Sequence, residues 1–419
     1  MSDSILVRPL TTLEEMRTQV YMADRAFSSE PSEESARRWL TYLTAAPDFY
    51  PEMMRGAFAD GQQAGGYLFL KRTLRMGAAR IPAGCLGAVV TSPEYRKRGV
   101  ARALMQDAIE FANANRLPLL LLDGIPNFYY RFGYIDIYDT TMLRVERGSL
   151  RQWADSLSGY TTRQATAEDA ATVYTLYQQH YAGYTGSFDF SLEIFQHRFS
   201  PQKYLLAIRP DGQVAGYATS PEKQPERITE IAAETPEALL ALLQEQDRRS
   251  AQVTEPLTCL LPQRSLMADW LIQLLRATGP HKELAANEWS VQTQINHQRF
   301  AGWMGRLNSL AGFLHAILPE LQARWERSLA HWNGSITLII EQESCTLHCA
   351  GRSVELSDTA AQAPALQFTP QLFLQLAFGY RSLQHVLSET GQRLPFEAQQ
   401  ALSILFPPDH TFIPASDWF

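Results

Sequence analysis

The chain has 419 residues and a formal net charge of -7. That length exceeds one ordinary hydrophobic core and calls for two or three domains, and the acidic balance argues against general nucleic-acid binding, which needs a dense basic surface. The four cysteines, of which Cys345 and Cys349 are the nearest two, fit neither a disulfide scaffold nor a thiolate zinc cluster.

A reducing, cytoplasmic setting is therefore expected. The start MSDSILVRPL has no basic region followed by an apolar run and a small-residue cleavage site, and runs such as GYLFL and PLLLL are too short to span a bilayer. No stable membrane insertion is expected.

In chain order, TLEEMRTQVYMADRAF carries apolar residues at helical spacing, and SARRWLTYL reads as a second helix. APDFYPEM then turns into RGAFADGQQAGGYLFL, Arg55 to Leu70, where Asp-Gly between apolar runs marks a tight hairpin. ALMQDAIEFANAN reads as a helix, LPLLLLDG as a buried strand, and NFYYRFGYIDI as a loop entering another strand. LLAIRPDGQVAGYATS, Leu205 to Ser220, repeats the Asp-Gly hairpin pattern and suggests a duplication. ITEIAAETPEALLALLQEQDRR supplies a helix behind that second hairpin. A final unit, beginning within Val291 to Arg306, reads as helix in WMGRLNSLAGFLHAIL, strands in GSITLIIEQESCTLHCAGRSVEL and helix in TPQLFLQLAFGY. The expected fold class is α/β (α+β) with mixed sheets rather than a bundle.

The stretch YRKRGVARALM, Tyr95 to Met105, follows the apolar IPAGCLGAVV and opens a helix. Gly99 lets backbone pass close to a ligand, small Ala101 leaves the next turn open, and free amides at a helix start suit phosphate oxygens, with Arg96 and Arg98 adding charge. The plainer reading is a tight turn with solvated basic residues. The stretch is neither a P-loop, lacking Gly-Lys-Ser/Thr, nor a dinucleotide GxGxxG motif. The nine histidines, His281 and His297 among them, form no metal-ligand series, Ser92 is in no nucleophile elbow, and no metal is expected.

YRKRGVARALM resembles the Arg/Gln-x-x-Gly-x-Gly/Ala pyrophosphate loop of the GCN5-related N-acetyltransferases. With GAVVTSPEYRKRGVARALM and FYYRFGY, the chain resembles the three-domain enhanced-intracellular-survival family. The resemblance implies a catalytic acetyltransferase domain at 1–145, a second, cofactor-incompetent copy at 146–290 and a sterol-carrier-like domain at 291–419. It implies acetyl-CoA as cosubstrate, with its pantetheine arm along the backbone of Val89, Val90 and Thr91, and its diphosphate surrounded by Arg96, Lys97, Arg98, Gly99, Val100, Ala101 and Arg102. Without the resemblance, Val89 and Val90 read as ordinary strand packing.

The same resemblance places Tyr129 as the acid that protonates the departing sulfur, with bulky Tyr130 narrowing the pocket where a smaller residue is usual. It makes the terminal carboxylate of Phe419 a base or orienting group, whereas FIPASDWF alone reads as an apolar seal on the last domain. Asp24 and Trp39 are candidate acceptor contacts, the acid drawing a cation and the ring covering an apolar part. The expected acceptor is a cationic small-molecule amine, such as an aminoglycoside or polyamine, or a peptide lysine. A homo-oligomer, in the hexameric form of the family, is implied. The alternative function is a noncatalytic acyl-CoA or small-molecule binding protein.

Overall fold

The computed structural model describes residues 5–151, 159–276, 291–296, 302–357 and 363–419. His281 and His297 lie outside the described residues, as do 277–290, which end at the expected 290/291 boundary. The chain divides into two compact units, Met1–Ile137 with Arg299–Asp409 and Phe419, and Tyr138–Gln298 with His410–Trp418.

In the first unit, strand β1 (Leu6–Pro9) leads to helices α1 (Leu13–Phe27) and α2 (Glu33–Thr44). Thr12 and Glu15 form a reciprocal capping box that fixes where α1 begins. Strands β2 (Met54–Ala59) and β3 (Gln62–Met76) form the Asp-Gly hairpin, with Asp60 at φ 53° and Gly61 at φ 75°, as a two-residue turn of matching twist requires. Strand β4 (Ala79–Thr91), helix α3 (Val100–Ala114), and strands β5 (Leu119–Gly124) and β6 (Ile135–Asp136) follow. The sheet runs β1-β2-β3-β4-β5, then the strand Gly302–Leu307, then β6.

Alternation along β3 divides the core between the two faces of this sheet. Tyr67 and Phe69 pack with Leu104, Met105 and Ala108 of α3. Leu68, between them, packs with Val20 of α1 and with Leu40 and Leu43 of α2. One buried polar group pins α3 to the sheet. Asp107 accepts two hydrogen bonds from Arg55, from Nε at 2.6 Å and Nη2 at 2.7 Å, and a third from the Tyr67 hydroxyl at 2.6 Å. The Arg55 guanidinium also lies over the Phe111 ring, 4.5 Å from its centre.

The segment WMGRL, expected to begin a helix, is instead the strand Gly302–Leu307, paired antiparallel with β5. The Ser309 hydroxyl accepts from Gly312 N at 3.1 Å and starts the helix Leu310–Arg327 there. An N-cap of this kind halts the helical pattern upstream. The expected strands beyond it form a four-stranded sheet in the order Ser353–Ser357, Glu343–Ala350, Gly334–Ile340, Ala365–Phe368, with the helix Pro370–Ala377 following.

The second unit repeats the antiparallel order of the first hairpin sheet: Thr161–Gln164, Tyr204–Ile208, Val214–Thr219, Glu230–Ala233. The helix Pro236–Arg249 begins directly after the last of these strands, capped by Thr235. A second sheet joins Arg227–Ile228, Leu257–Leu260, Thr140–Val145 and Val291–Asn296. The tail is built into this unit. Asp417 accepts from the Tyr177 hydroxyl and from Phe188 N, and burial pushes its carboxyl up to about 7.

Among the described residues no helix is long and apolar enough to cross a membrane. No group of three or more His, Cys, Asp and Glu side chains there is arranged to hold a metal.

Asp107→Ala leaves Arg55 and Tyr67 buried without their shared acceptor. Removing one partner of such a pair costs about 3–5 kcal/mol, and urea unfolding at neutral pH is expected to report a loss of that size.

Candidate active site

The parallel pairing of β4 with β5 runs from Ala83↔Leu119 to Leu86↔Leu122, yet β4 continues to Thr91 and β5 to Gly124. Beyond Leu122, β5 stays paired on its other side, with Asp123 opposite Trp303 and Gly124 opposite Gly302. The two parallel strands thus part at their carboxyl ends. Backbone groups on the β4 side of this opening are available to a strand-like ligand.

A bulge reshapes β4 at the same place. Gly66 pairs with Val90 but Leu68 pairs with Gly87, so the register shifts around Ala88, whose φ is 49°. Gln19 of α1 is buried against the bulge and donates to the Ala88 carbonyl at 3.4 Å. A Cβ on Gly66 would collide with that side chain, 2.2 Å from Gln19 Oε1. Glycine at position 66 is what lets the glutamine reach the bulge.

The basic turn follows. Arg96, Lys97, Arg98 and Gly99 are exposed, and Lys97 at φ 64° and Gly99 at φ 95° both take left-handed backbone before Val100 turns inward to begin α3. The Arg98 guanidinium is held by Asp60 at 2.9 Å and lies over the Tyr95 ring. The first turn of α3 has no acidic residue, so its amides and positive dipole end face an anion with no competing carboxylate from the helix itself. Ala101 and the exposed Arg102 belong to that turn.

Tyr129 starts a short 3-10 turn after β5 and is buried against Phe128 and Tyr134. A Cβ on Gly124 would come within 3.2 Å of the Tyr129 ring, so the glycine lets the ring lie against the end of β5. Burial, with a smaller contribution from the Asp123 charge, pushes the Tyr129 hydroxyl up to about 12. Such a phenol keeps its proton at neutral pH. Tyr130 differs, since its hydroxyl donates to Asp136 at 2.6 Å; burial and that carboxylate push it up as well.

Phe419 clusters with the first unit. Its main-chain carbon lies 3.7 Å from where a Cβ on Gly87 would stand, beside the bulge. Its ring meets that of Trp303 edge on, with centres 5.1 Å apart. Trp39 of α2 is half-buried against the cluster that includes Ala88. Asp24 is buried with both oxygens engaged, accepting from Ser32 N and from the Ser35 hydroxyl, each at 2.9 Å. It holds the start of the helix that carries Trp39.

The structure therefore brings Val89, Val90, Thr91, the basic turn, Tyr129 and Phe419 to the end of the sheet where β4 and β5 part. Sequence reasoning passed over Gln19, Trp303 and Asp123. Asp123 had a signal, being a lone acid at the carboxyl end of the otherwise apolar LLLLDG, where ligands of open sheets gather. Although its side chain reaches solvent, the protein packed around it raises its carboxyl.

Residues 7–135, which hold all of these groups except Trp303 and Phe419, match the family model described as acetyltransferase (GNAT) domain. A search of curated proteins finds no match. Among solved structures, a GCN5-related N-acetyltransferase from Anabaena variabilis is 15% identical with a TM-score of 0.70, covering 99% of this chain and 100% of its own. A protein of unknown function from Enterococcus faecalis, described as a probable N-acyltransferase, is 16% identical with a TM-score of 0.71 and the same coverage. Eis1 from Mycobacterium abscessus is 16% identical with a TM-score of 0.62, again covering 99% and 100%.

These likenesses show the fold that the GCN5-related N-acetyltransferases share. Within that fold, residues 7–135 are the part that matches the acetyltransferase (GNAT) domain family.

The raised Tyr129 hydroxyl has a consequence for stability. Its pKa is about 10 in an unfolded chain and about 12 in the folded one, so its contribution is complete below pH 10 and is lost as pH rises through 12. Tyr129→Phe is expected to lose less stability than the parent between pH 10 and 12, by on the order of 2 kcal/mol in urea unfolding.

Proposed function

We propose that the protein transfers the acetyl group of acetyl-CoA to a primary amine of a cationic small molecule, such as an aminoglycoside or polyamine, or to a peptide lysine. The observation that carries this reading is the parting of β4 and β5 with Tyr129 and Phe419 beside the opening. Acetyl-CoA fits that place in chemistry. Its amide-bearing pantetheine arm suits the backbone of Val89, Val90 and Thr91, and its diphosphate suits the exposed turn Arg96 to Arg102 at the start of α3.

Acetyl-CoA supplies the acetyl group as a thioester, and the chain's own groups handle protons and orientation. With Phe419 as the last residue, its carboxylate accepts a hydrogen bond from the incoming ammonium and receives its proton, directly or through water. The amine nitrogen then bonds to the acetyl carbon as the carbon–sulfur bond breaks. The Tyr129 phenol, protonated at neutral pH, gives its proton to the departing sulfur, and the second proton that the nitrogen sheds as the amide forms restores the phenol through water. Trp39 covers an apolar part of the acceptor, and Asp24 acts on that wall through the start of α2.

The closer resemblance belongs to the same proposal. The chain would be a three-domain protein of the enhanced-intracellular-survival type, with domains at 1–145, 146–290 and 291–419, the last sterol-carrier-like and supplying Phe419. The second domain would bind no cofactor, since Pro236–Arg249 follows its strand without an exposed basic turn. A cytoplasmic homo-oligomer, hexameric in form, completes the assignment.

Two experiments test the mechanism. Arg96→Ala and Arg98→Ala should weaken acetyl-CoA binding more than acceptor binding. Each charge-assisted contact is worth about 1.5–3 kcal/mol at best and less at an exposed site, and Arg98 already shares its charge with Asp60. Unchanged cofactor affinity in both single variants and the double variant would contradict the phosphate role.

In a time-resolved assay that identifies free CoA and acetylated amine, Tyr129→Phe and a terminal amide at Phe419 should each slow turnover while cofactor affinity holds. General acid or base catalysis contributes roughly 100-fold or more. Parent-like turnover in both, at saturating substrates with folding verified, would refute the paired assignment. Binding of acetyl-CoA without product from any amine would leave the noncatalytic binding function instead.

A further inference from the structure

Asp123 has no task in the mechanism above, yet its position is specific. It stands past the last β4–β5 pair and directly across from Trp303 in the antiparallel ladder. Residues opposed in this way project from one face of the sheet with Cβ atoms about 5 Å apart. The Trp303 ring in turn meets the Phe419 ring at 5.1 Å, and the Phe419 main-chain carbon lies beside Gly87. Asp123 and Trp303 therefore share one face on neighbouring strands, and Phe419 reaches from the Trp303 ring to Gly87, on the strand at the other side of Asp123. The neighbouring Gly124 faces the other side, against Met304 and Tyr129.

Other aspartates of this unit are engaged. Asp48 pairs with Arg72, Asp60 with Arg98 and Asp107 with Arg55, while Asp136 accepts from Tyr130. Among the described residues Asp123 has neither a hydrogen bond nor an ion pair. A carboxylate that reaches solvent on one side and is enclosed on the other keeps only part of its hydration, as its raised carboxyl reflects. A cation arriving from solvent would offset that loss.

We propose that Asp123 is a specificity-determining residue that holds a second protonated amine of the acceptor, one that is not acetylated, while the reacting amine lies at Phe419. The proposal rests on the amine-acetylation reading above. Trp303, on the strand beyond Asp123, offers an aromatic face to the carbon chain joining the two nitrogens or to a cation. An acceptor with one amine leaves Asp123 unpaired, so the site favours acceptors whose positive charges are spaced along a short chain or ring.

The test uses the full chain with CoA bound, so that acceptor binding is read without turnover. Calorimetric titration compares 1,4-diaminobutane with 1-aminobutane for the parent, Asp123→Asn and Asp123→Glu, with circular dichroism verifying the fold. The parent is expected to bind the diamine at least roughly tenfold more tightly than the monoamine, the range of one charge-assisted hydrogen bond. Asp123→Asn should bring that ratio close to one, and Asp123→Glu should restore part of it.

Equal affinities in the parent, or an unchanged ratio in Asp123→Asn, would overturn the role of Asp123. Acetylation of both amines, followed separately, reports on the underlying reading. The expected ratios without any acetylated product would sink the transferase mechanism and leave the Asp123 contact standing. Product formation with an unchanged ratio would sink the Asp123 contact alone.

Discussion

The constraint on which this active site depends is the end of pairing between two parallel strands. Up to Leu86↔Leu122 the backbone groups of β4 and β5 satisfy one another; past that pair β5 turns its remaining hydrogen bonds to the strand Gly302–Leu307. The outer part of β4 must then find other partners on that side, because buried backbone groups left unpaired are costly. The bulge at Ala88 and the glutamine that holds it lie on the same stretch. A ligand with amides along its length is the kind of partner that such an edge accepts.

The other groups take their places from that opening. Asp107 fixes α3 against β2 and β3, which sets where the helix start and its basic turn stand. Gly124 lets Tyr129 lie at the end of β5, and Phe419 comes to rest beside Gly87 at the bulge. Burial then decides the chemistry available. Tyr129, enclosed by aromatic rings, holds its proton far above neutral pH, while Tyr130 one residue on spends its hydroxyl on Asp136. Two adjacent tyrosines thus differ in their surroundings, for reasons of partner rather than residue type. The second unit repeats the strand order but moves straight from strand to helix at Thr235, so the same topology lacks the exposed anion-facing turn.

Much of the framework was readable from short-range pattern. Apolar spacing located α1, α2 and α3, Asp-Gly located both hairpins, and the run LPLLLL located β5, because these signals act over one or two turns of chain. WMGRL misled for the opposite reason. Its pairing partner, β5, is far away in sequence, and the nearer signal, the Ser309 cap, was weaker than the apolar run around it. The charge that marks Asp24 in the sequence as an acceptor contact is spent on Ser32 and Ser35. Asp123 stands out in sequence as the lone acid of LLLLDG, but only the register opposite Trp303 brings it towards Phe419. Where two strands cease to pair is a tertiary fact that no local pattern carries.

The most direct test of this account is a crystal structure of the full chain with CoA. The account predicts the pantetheine arm beside the backbone of Val89, Val90 and Thr91, the diphosphate at the start of α3 among Arg96 to Arg102, and the sulfur within reach of the Tyr129 hydroxyl. CoA bound elsewhere on the chain, or bound with its sulfur remote from Tyr129 and Phe419, would contradict it.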